Sequence, residues 1–548
     1  MRNALAAGAA PCDNSARNDT GDEMTRIGKL GAVAVALCLA SAASAQDLKI
    51  GLKTEPSSLD PQYHALNPNL QAAFHVFDSL VMQDENLKPQ PGLALSWKPV
   101  GETVWEFKLR PGVKFHDGSD FTAEDVVFTY QRVPKVPNSP GPYTVYTRQM
   151  KSFEIVDPLT VRIHTDGPAP LTPLNAAALP ILSHKAMAGP APEGKTSGEL
   201  NAGNGLVGTG PYKFVEWQRG SKIVYERNDA YWGEKPAWKT VTLRPLSNNT
   251  ARVAALLSGD VDLIEDPPTT DLAKLKNDPK VTLSRAVSNR VIYIHLDQHG
   301  EPPIAIPDTG GKNPLMDKRV REALSLAIDR KGIVEKIMEG VALPAGDFLP
   351  FPMGGTAKDT PIDPFDSAKA KKLLAEAGYP NGFSITLGAP NGRYINDVKV
   401  AQAVAAMWSR IGVKTEVDAV APPVFFKNRD SFKYSAYLAG WGAVTGETSN
   451  AMQSLVATPD KQKGMGTTNS ARYSNPALDA KLAEAMRTVD DAKREAILRE
   501  ATKIVIQQDH GLLPIHFEVS VWAMRKGLTY VGRADQTTLA VNVKPAKQ

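Results

Sequence analysis

Residues 105–128 read WEFKLRPGVKFHDGSDFTAEDVVF, and this segment contains signals for a strand, a turn and a helix in direct succession. Trp105, Phe107 and Leu109 alternate with charged residues, which is the period-two pattern of a strand with one buried face. The sequence from Thr122 to Asp125 is a capping box, in which the two end residues satisfy backbone N–H groups at a helix start. The segment therefore predicts a strand followed, after a turn, by a helix.

Strand and helix signals continue along the rest of the chain. Period-two or short apolar runs predict strands at 48–52, 241–243, 290–296, 384–387 and 413–417. Amphipathic runs predict helices at 250–257, 317–339, 367–377 and 397–411. Because strands alternate with helices from residue 240 onwards, we expect a mainly parallel sheet covered by helices. A chain of 548 residues is too long for one hydrophobic core, so two or three domains are expected.

The charge pattern excludes one class of partner. The formal net charge is only +4, and lysines and arginines are interspersed with acids. A nucleic-acid-binding surface needs a basic stripe or cluster, and the chain has no Lys/Arg run. We therefore expect no nucleic-acid partner.

The N-terminal region has the features of a secretory signal peptide. Arg26 and Lys29 precede an apolar run at 30–40, and the small residues Ala43 and Ala45 form a cleavage site. The apolar run is shorter than the ~20 residues of a membrane span. We therefore predict a signal peptide at 24–45, cleavage after Ala45 and a periplasmic location.

Two further interpretations depend on that cleavage site. Residues 1–23 are polar and unlike a signal peptide, so we interpret them as a non-native extension preceding a true start at Met24. The only cysteines, Cys12 and Cys38, precede the cut, so the mature chain would contain none. A large core does not need disulfides.

Five motifs in order along the chain resemble a known family. They are the 105–128 segment, GTGPY at 208–212, DAYWG at 229–233, GDVD at 259–262 and the 319–330 helix. Together they resemble the periplasmic solute-binding proteins of ATP-driven importers, of the oligopeptide, dipeptide and nickel type (family 5). The resemblance covers essentially the whole mature chain.

The resemblance implies an α/β fold of the two-lobed periplasmic binding protein type, with a hinge between the lobes. Lobe I would comprise residues 46–75, 206–290 and 514–548, an extra subdomain residues 76–205, and lobe II residues 291–513. The chain would cross between the lobes near Val291–Leu296 and near Leu512–Phe517. The ligand would lie in the cleft between the lobes.

The function implied is solute capture without a reaction. The chain would bind a peptide or peptide-like small molecule, deliver it to the membrane permease of an ATP-driven importer, and act as a monomer without cofactor, bound metal or catalytic residue. Two alternatives stay open. One is a non-peptide solute such as an opine, a sugar conjugate or a metal chelate, and the other is a periplasmic hydrolase on the same scaffold.

The segment after Gly440 and Trp441 departs from the family pattern. Peptide-binding relatives often hold the ligand's α-ammonium with an aspartate three residues after a Gly-Trp pair, and here that residue is Val444. Valine cannot pair with a cation, and a buried cation needs an opposite charge nearby. Glu447 could substitute if its loop bends inward. The alternative is that Glu447 is a solvated loop acid.

Other ligand-binding candidates come from both lobes. Trp441 offers flat apolar area and one donor, and its flanking glycines let a ligand approach the backbone. The loop at 65–68 follows residues 58–61 at the same distance as a loop that touches ligand main chain in relatives, and the loop at 391–394 lies where α/β sheets present ligand groups. The complete set is Trp441, Gly440, Gly442, Asn67, Ala65, Arg429, Arg393, Tyr394 and Glu447.

One motif matches a nucleotide-binding sequence pattern. GPAPEGKT at 189–196 satisfies the P-loop pattern, but Pro190 and Pro192 lack the N–H groups that would hold phosphate. A P-loop also needs a strand before it and a helix after it, and the sequence from Ser197 onwards looks like a poor helix start. We therefore interpret this motif as a surface loop.

Overall fold

The structure is a computed structural model that describes residues 47–300, 306 and 309–546. The predicted N-terminal extension, the signal peptide and the cleavage after Ala45 lie outside the described residues.

The described residues contain nineteen strands. They are β1 (Asp47–Leu52), β2 (Val81–Gln83), β3 (Pro89–Pro91), β4 (Ala94–Pro99), β5 (Val104–Leu109), β6 (Met150–Asp157), β7 (Thr160–Thr165), β8 (Tyr212–Gln218), β9 (Lys222–Arg227), β10 (Thr240–Pro245), β11 (Leu263–Glu265), β12 (Val281–Leu296), β13 (Ala342–Pro344), β14 (Ser384–Pro390), β15 (Lys414–Val420), β16 (Ala436–Gly442), β17 (Leu513–Arg525), β18 (Leu528–Tyr530) and β19 (Val543–Pro545).

The helices of the described residues range from single turns to fourteen residues. The α-helices are Asn67–Val76, Ala123–Arg132, Thr144–Thr147, Thr172–Ala176, His184–Met187, Ser197–Asn201, Asn249–Ser258, Leu272–Asn277, Lys318–Leu326, Arg330–Gly332, Ser367–Glu376, Asp397–Arg410, Pro422–Asp430, Thr448–Leu455, Pro476–Ala485 and Asp491–Thr502. Short 3₁₀ segments lie at Val133–Lys135, Thr269–Asp271, Pro314–Met316 and Ala540–Asn542, and π-helical segments at Ile333–Ile337 and Lys503–Gln508.

One large sheet runs through the molecule. Its strand order is β15-β14-β16-β12-β17-β11-β1-β10-β9-β8, with β13 paired to β17. The long strands β12 and β17 pair antiparallel along almost their whole length, with an irregularity in register between Val287 and Val291. Strand β16 extends the sheet on one side of this pair and β11 on the other. We call the β14–β16 side wing B and the β11-to-β8 side wing A. The chain therefore passes between the wings on β12 and β17, where the two crossovers were predicted.

The prediction of a mainly parallel sheet is wrong, because the sheet is mixed. Strands β14, β15 and β16 are parallel, as are β1, β10 and β11. The crossover pair β12 and β17 is antiparallel, and so are the pairs that join β8, β9 and β10. The short connection between β8 and β9, residues 219–221, favours antiparallel pairing, whereas the β14-helix-β15 unit needs a crossover and is parallel.

Four large bodies of apolar side chains among the described residues hold these layers together. The first lies under wing A, and the second fills the space beneath the small sheet β4-β5-β7-β6. The third and the fourth cover the two faces of wing B. Trp105, Phe107 and Leu109 are 7%, 0% and 3% exposed within the second body, which confirms their predicted inward alternation. The capping box from Thr122 to Asp125 is also present, and it starts the helix Ala123–Arg132.

The predicted helix at 317–339 is interrupted. The α-helix Lys318–Leu326 ends, and a new turn begins at Arg330 with Asp329 as its N-cap, accepting the N–H of Gly332 at 2.8 Å. Arg330 is buried and donates to the carbonyl of Pro514 at 2.7 Å in β17. The cap pairs the N–H of Gly332, and the distant contact pairs the buried guanidinium of Arg330.

The motif at 189–196 follows the helix His184–Met187, not a strand, which disagrees with a P-loop. The expectation that no helix starts at Ser197 is nevertheless wrong. Thr196 and Glu199 form a capping box whose two hydrogen bonds, at 2.8 and 3.3 Å, start the five-residue helix Ser197–Asn201.

Candidate functional site

A cavity of about 360 Å³ lies where the two wings meet. Wing A contributes the turn after β1, the first turn of the helix Asn67–Val76 and the end of β11. Wing B contributes the loop 392–395, and the crossover strands contribute Arg290 and Glu518. The volume is at the lower end of the ~300–1,000 Å³ that small-molecule pockets occupy, so the cavity suits a small solute.

Three of the predicted residues line this cavity, namely Asn67, Arg393 and Tyr394. Asn67 begins its helix, and its Nδ2 donates to the carbonyl of Asp535 at 3.0 Å. The wing B loop is held by the buried carboxylate of Asp397, which accepts the backbone N–H groups of Gly392, Arg393 and Tyr394 at 3.2, 2.8 and 3.0 Å. The loop is therefore fixed at the N-terminus of the helix Asp397–Arg410, as expected for a strand-to-helix connection in an α/β unit.

Two more predicted residues, Gly440 and Gly442, support the cavity wall from behind. The carbonyl of Gly440 accepts the Tyr394 hydroxyl at 3.1 Å. A Cβ atom at Gly440 would lie 2.9 Å from Cε1 of Tyr394, and one at Gly442 would lie 3.2 Å from Nη2 of Arg290. The absence of side chains at these glycines thus allows Tyr394 and Arg290 to occupy their positions.

The wing A wall of the cavity is acidic. Glu265 accepts the N–H of Lys53 at 2.6 Å, the hydroxyl of Thr538 at 2.9 Å and the amide of Gln71 at 3.4 Å. Burial raises the pKa of Glu265, and the neighbouring charge of Asp266 raises it further. Among the described residues no side-chain nitrogen of a Lys, Arg or His lies within 4.0 Å of the Glu265 carboxylate.

The opposite wall is basic. Arg290 donates from Nε and Nη2 to Oε1 of Gln536, at 3.2 Å in each case, and its Nε lies 3.4 Å from Oε2 of Glu518. Arg393 is exposed, and its guanidinium lies 5.3 Å from the centre of the Tyr394 ring. Within the described part of the chain, Arg393 has no carboxylate within 4.0 Å. The cavity therefore has fixed charges of opposite sign on its two walls.

The remaining predicted residues lie away from this cavity. The backbone N–H of Ala65 donates to the carbonyl of Gly141 at 2.8 Å, and the Ala65 side chain packs beneath the small sheet. The Trp441 indole packs against apolar residues and donates to Asn450 Oδ1 at 2.9 Å. Arg429 is paired with Asp430 at 2.8 Å. Their proposed ligand contacts stay predictions.

Glu447 is buried, so the alternative that it is a solvated loop acid is wrong. Its exposed fraction is 3%, and its Oε2 lies 2.8 Å from Nε of the buried Arg494. The other oxygen accepts the Ser449 hydroxyl at 2.6 Å. Because Arg494 already neutralises it, Glu447 offers little to a ligand amine.

Val444 lies in apolar surroundings. Its half-buried side chain packs against the apolar body beneath the small sheet, and its carbonyl accepts Nε2 of Gln83 at 3.2 Å. The position where the resemblance implied an aspartate is therefore an apolar contact between wing B and the small-sheet region.

Lys53, Glu265, Asp266, Arg290 and Glu518 line the cavity but were not singled out from the sequence. The sequence did contain a signal for Arg290 and Glu518, because they directly adjoin the two predicted crossover segments. Crossover segments border the cleft in a two-lobed fold. The others are brought to the cavity by strand pairing between distant segments.

Two further observations concern the described residues as a whole. None of their helices is long and apolar enough to cross a membrane. None of their His, Cys, Asp and Glu side chains form a group of three or more that could hold a metal ion.

Comparisons with known proteins agree with these features. The family model for bacterial extracellular solute-binding proteins, family 5 Middle, matches residues 88–463. The glutathione-binding protein GsiB of Escherichia coli O157:H7 is 30% identical over 507 residues, covering 91% of this chain and 94% of that protein.

Solved structures give the same result. HbpA2 from Haemophilus parasuis superposes with a TM-score of 0.77 at 26% identity, covering 91% of this chain and 100% of that one. The periplasmic binding protein AgaA from A. tumefaciens R10, in complex with agropinic acid, superposes with a TM-score of 0.70 at 25% identity. In that comparison 92% of this chain and 99% of the other are covered.

Proposed function

We propose a solute and a place of action for this chain, which belongs to family 5 of the bacterial extracellular solute-binding proteins. Its fold is the two-lobed α/β fold of that family, and its function is that of the solute-binding component of an ATP-driven importer. The solute proposed is a short peptide or a peptide-like compound of the size of glutathione.

The cavity between the wings is the observation that carries this proposal. It places the predicted residues Asn67, Arg393 and Tyr394 around one space, together with charged side chains of both signs. Peptides present charged termini and amide groups, so such walls suit them. The similarity to a glutathione-binding protein over 91% of the chain supports a solute of two or three residues.

Closure of the wings on the solute would be the functional event. Binding energy shifts a two-state protein toward the closed form by the difference in solute affinity between the two states. In this proposal lobe I comprises residues 46–75, 206–290 and 514–548, the subdomain residues 76–205, and lobe II residues 291–513. Strands β12 and β17 would carry the hinge. The paths of these strands between the wings support that division.

The proposal includes maturation and mode of action. The signal peptide is removed after Ala45 and the mature chain acts in the periplasm as a monomer, without nucleic acid and without chemical conversion of the solute. It delivers the solute to the permease. The signal-peptide pattern supports export, and the binding proteins among the relatives support capture without catalysis.

A non-peptide solute such as an opine is a second candidate. Val444 removes the usual amine-binding carboxylate, and a structural relative at 25% identity holds agropinic acid. This candidate predicts binding that does not depend on a free ammonium group.

Calorimetric titration of the mature chain tests the proposal. Reduced glutathione, dialanine and agropinic acid would be titrated into residues 46–548 and into two variants. Arg393→Ala removes a cation from the cavity. Arg219→Ala is the matched control, because Arg219 is also exposed and also stacks on an aromatic ring, at 3.9 Å from Trp217.

We expect a peptide to bind the wild type and Arg219→Ala equally, and to bind Arg393→Ala roughly tenfold or more weakly, since a charge-assisted hydrogen bond contributes about 1.5–3 kcal/mol. Binding of agropinic acid alone would favour the second candidate. Equal peptide affinity in all three proteins would contradict the assignment of the cavity.

A further inference from the structure

We infer that the cavity selects solutes with a free ammonium group and a carboxylate, and that the ammonium is held on the lobe I wall by Glu265 and Asp266. This inference rests on the proposed function, because it names the class of solute bound in the same cavity. It relocates the amine contact from the Gly-Trp segment of lobe II to the opposite lobe.

The state of Glu265 is the first argument. Its carboxylate lines the cavity at the end of β11, and its hydrogen bonds come only from an amide N–H, a hydroxyl and a side-chain amide. A half-buried carboxylate with neutral donors alone still carries a desolvation cost, which a nearby cation reduces. No such cation lies within 4.0 Å among the described residues, so the cavity side is where it would be supplied.

Asp266 adds a second carboxylate at the same edge. Its backbone is in the left-handed region, with φ at 44°, where a non-glycine residue is strained. Arg252 fixes this turn by donating to the carbonyls of Glu265 and Asp266 at 3.0 and 2.8 Å. Lys53 lies 3.6 Å from Asp266 on an exposed part of the wall, so the pair is only partly neutralised. The geometry thus holds two carboxylates side by side.

The alternatives in lobe II are closed. Val444 is packed among apolar side chains, and Glu447 is neutralised by Arg494 at 2.8 Å. On the acidic wall of the cavity, Glu265 is therefore a carboxylate to which an ammonium can bind without displacing an existing ion pair, whereas Asp266 already has Lys53 at 3.6 Å.

The basic wall supplies the complementary end. Arg393 is exposed and has no carboxylate partner in the described part of the chain, and Arg290 shares its guanidinium between Gln536 and Glu518. Arginine binds carboxylates with a planar fork of donors. The six charged lining residues, Lys53, Glu265, Asp266, Arg290, Arg393 and Glu518, sum to no formal net charge. A cavity that is neutral overall but divided in charge fits a zwitterion better than an anion or a neutral sugar.

Two changes, one on the ligand and one on the protein, test the inference. The probes are reduced glutathione and dialanine, each with its N-acetyl derivative, titrated into the wild type, Glu265→Gln and Asp266→Asn. Acetylation removes the ammonium charge and Glu265→Gln removes the carboxylate charge at nearly constant volume. Glu226→Gln, on the edge strand pair β8–β9 and without a role in the cavity, is the control variant.

We expect N-acetylation to weaken wild-type binding roughly tenfold to 100-fold. We expect Glu265→Gln to weaken binding of the free-amine probe by a similar factor while changing the N-acetyl probe little, so that the two losses are not additive. Glu226→Gln should match the wild type.

If Glu265→Gln and Asp266→Asn both still prefer the free-amine probe over its N-acetyl derivative by the same factor as the wild type, the inference is overturned while the proposed function stands. Equal wild-type affinity for the free and acetylated probes would do the same. Failure of the wild type to bind either peptide would overturn both. If Glu265→Gln does not fold, as judged by its circular dichroism, Asp266→Asn decides, because the Asp266 side chain is 26% exposed.

Discussion

The buried ion pair between Glu447 and Arg494 yields a prediction that separates a structural role from a ligand-binding role. Nε of Arg494 lies 2.8 Å from Oε2 of Glu447, and the two side chains are 4% and 3% exposed. Arg494 has one further carboxylate partner, Asp491, at 2.7 Å, and that side chain is 81% exposed. Glu447→Ala therefore leaves a buried guanidinium with a solvated partner.

The expected cost follows from these contacts. Removing one member of a buried ion pair typically lowers the free energy of unfolding by about 3–5 kcal/mol, because the other charge stays desolvated. The Ser449 hydroxyl, which donates to Glu447 at 2.6 Å, also loses its acceptor. We expect Glu447→Ala to lower the free energy of unfolding by about 3–5 kcal/mol, and Glu447→Leu combined with Arg494→Met to recover much of the loss.

Urea denaturation of the mature chain measures this effect. Glu495→Gln is the control, because Glu495 lies in the same helix as Arg494 and makes an exposed ion pair with Arg499 at 3.6 Å. Such an exposed pair is expected to contribute only about 0–1 kcal/mol to the free energy of unfolding. Peptide affinity of folded Glu447→Ala should stay near that of the wild type. A stability change below about 1 kcal/mol, together with a large loss of peptide affinity, would refute the structural role and support Glu447 as an amine ligand.

Three further substitutions have defined outcomes. Gly440→Ala would place a Cβ 2.7 Å from Ile292 Cδ1 and 2.9 Å from Tyr394 Cε1. We expect it to lower stability by about 1–3 kcal/mol in urea denaturation and to weaken solute binding in calorimetry. Burial raises the pKa of Asp347 to about 7, so the folded chain holds a proton that the unfolded chain releases near pH 4, and this group costs stability as the pH rises from 4 to 7. The free energy of unfolding of Asp347→Asn, relative to that of the wild type, should therefore increase by on the order of 2 kcal/mol between pH 5 and pH 8. A difference in unfolding free energy that stays the same across this pH range would contradict the prediction. Val444→Asp would place a carboxylate in a half-buried apolar contact, so thermal melting should show destabilisation, and calorimetry should show no gain in peptide affinity.

Much of the local structure was predictable because it depends on neighbouring residues. The alternation at Trp105, Phe107 and Leu109 and the capping box at Thr122 need only a few consecutive positions, and both are present. The break after Leu326 was not predictable in this way. It depends on a contact between Arg330 and a carbonyl of β17, which lies 184 residues further along the chain.

The same distinction applies to the cavity. The loop containing Arg393 and Tyr394 was predicted, because a loop between a strand and a helix is visible in the sequence and its place at the sheet edge is general. Glu265 was missed because it reaches the cavity through the pairing of β11 with β1 and β17. The sequence left Glu447 open as an amine ligand or a solvated loop acid, because its partner Arg494 lies 47 residues away in another helix and could not be identified.

The solute that the protein carries tests the central claim most directly. The mature chain would be purified from the periplasm of its host without denaturation, and the bound compound would be released and identified by mass spectrometry beside the double variant Glu265→Gln and Arg393→Ala. We predict a small compound with a free amine and a carboxylate, bound at a ratio near one to one and absent from the double variant. A compound that lacks either group, or one retained equally by the double variant, would contradict the account.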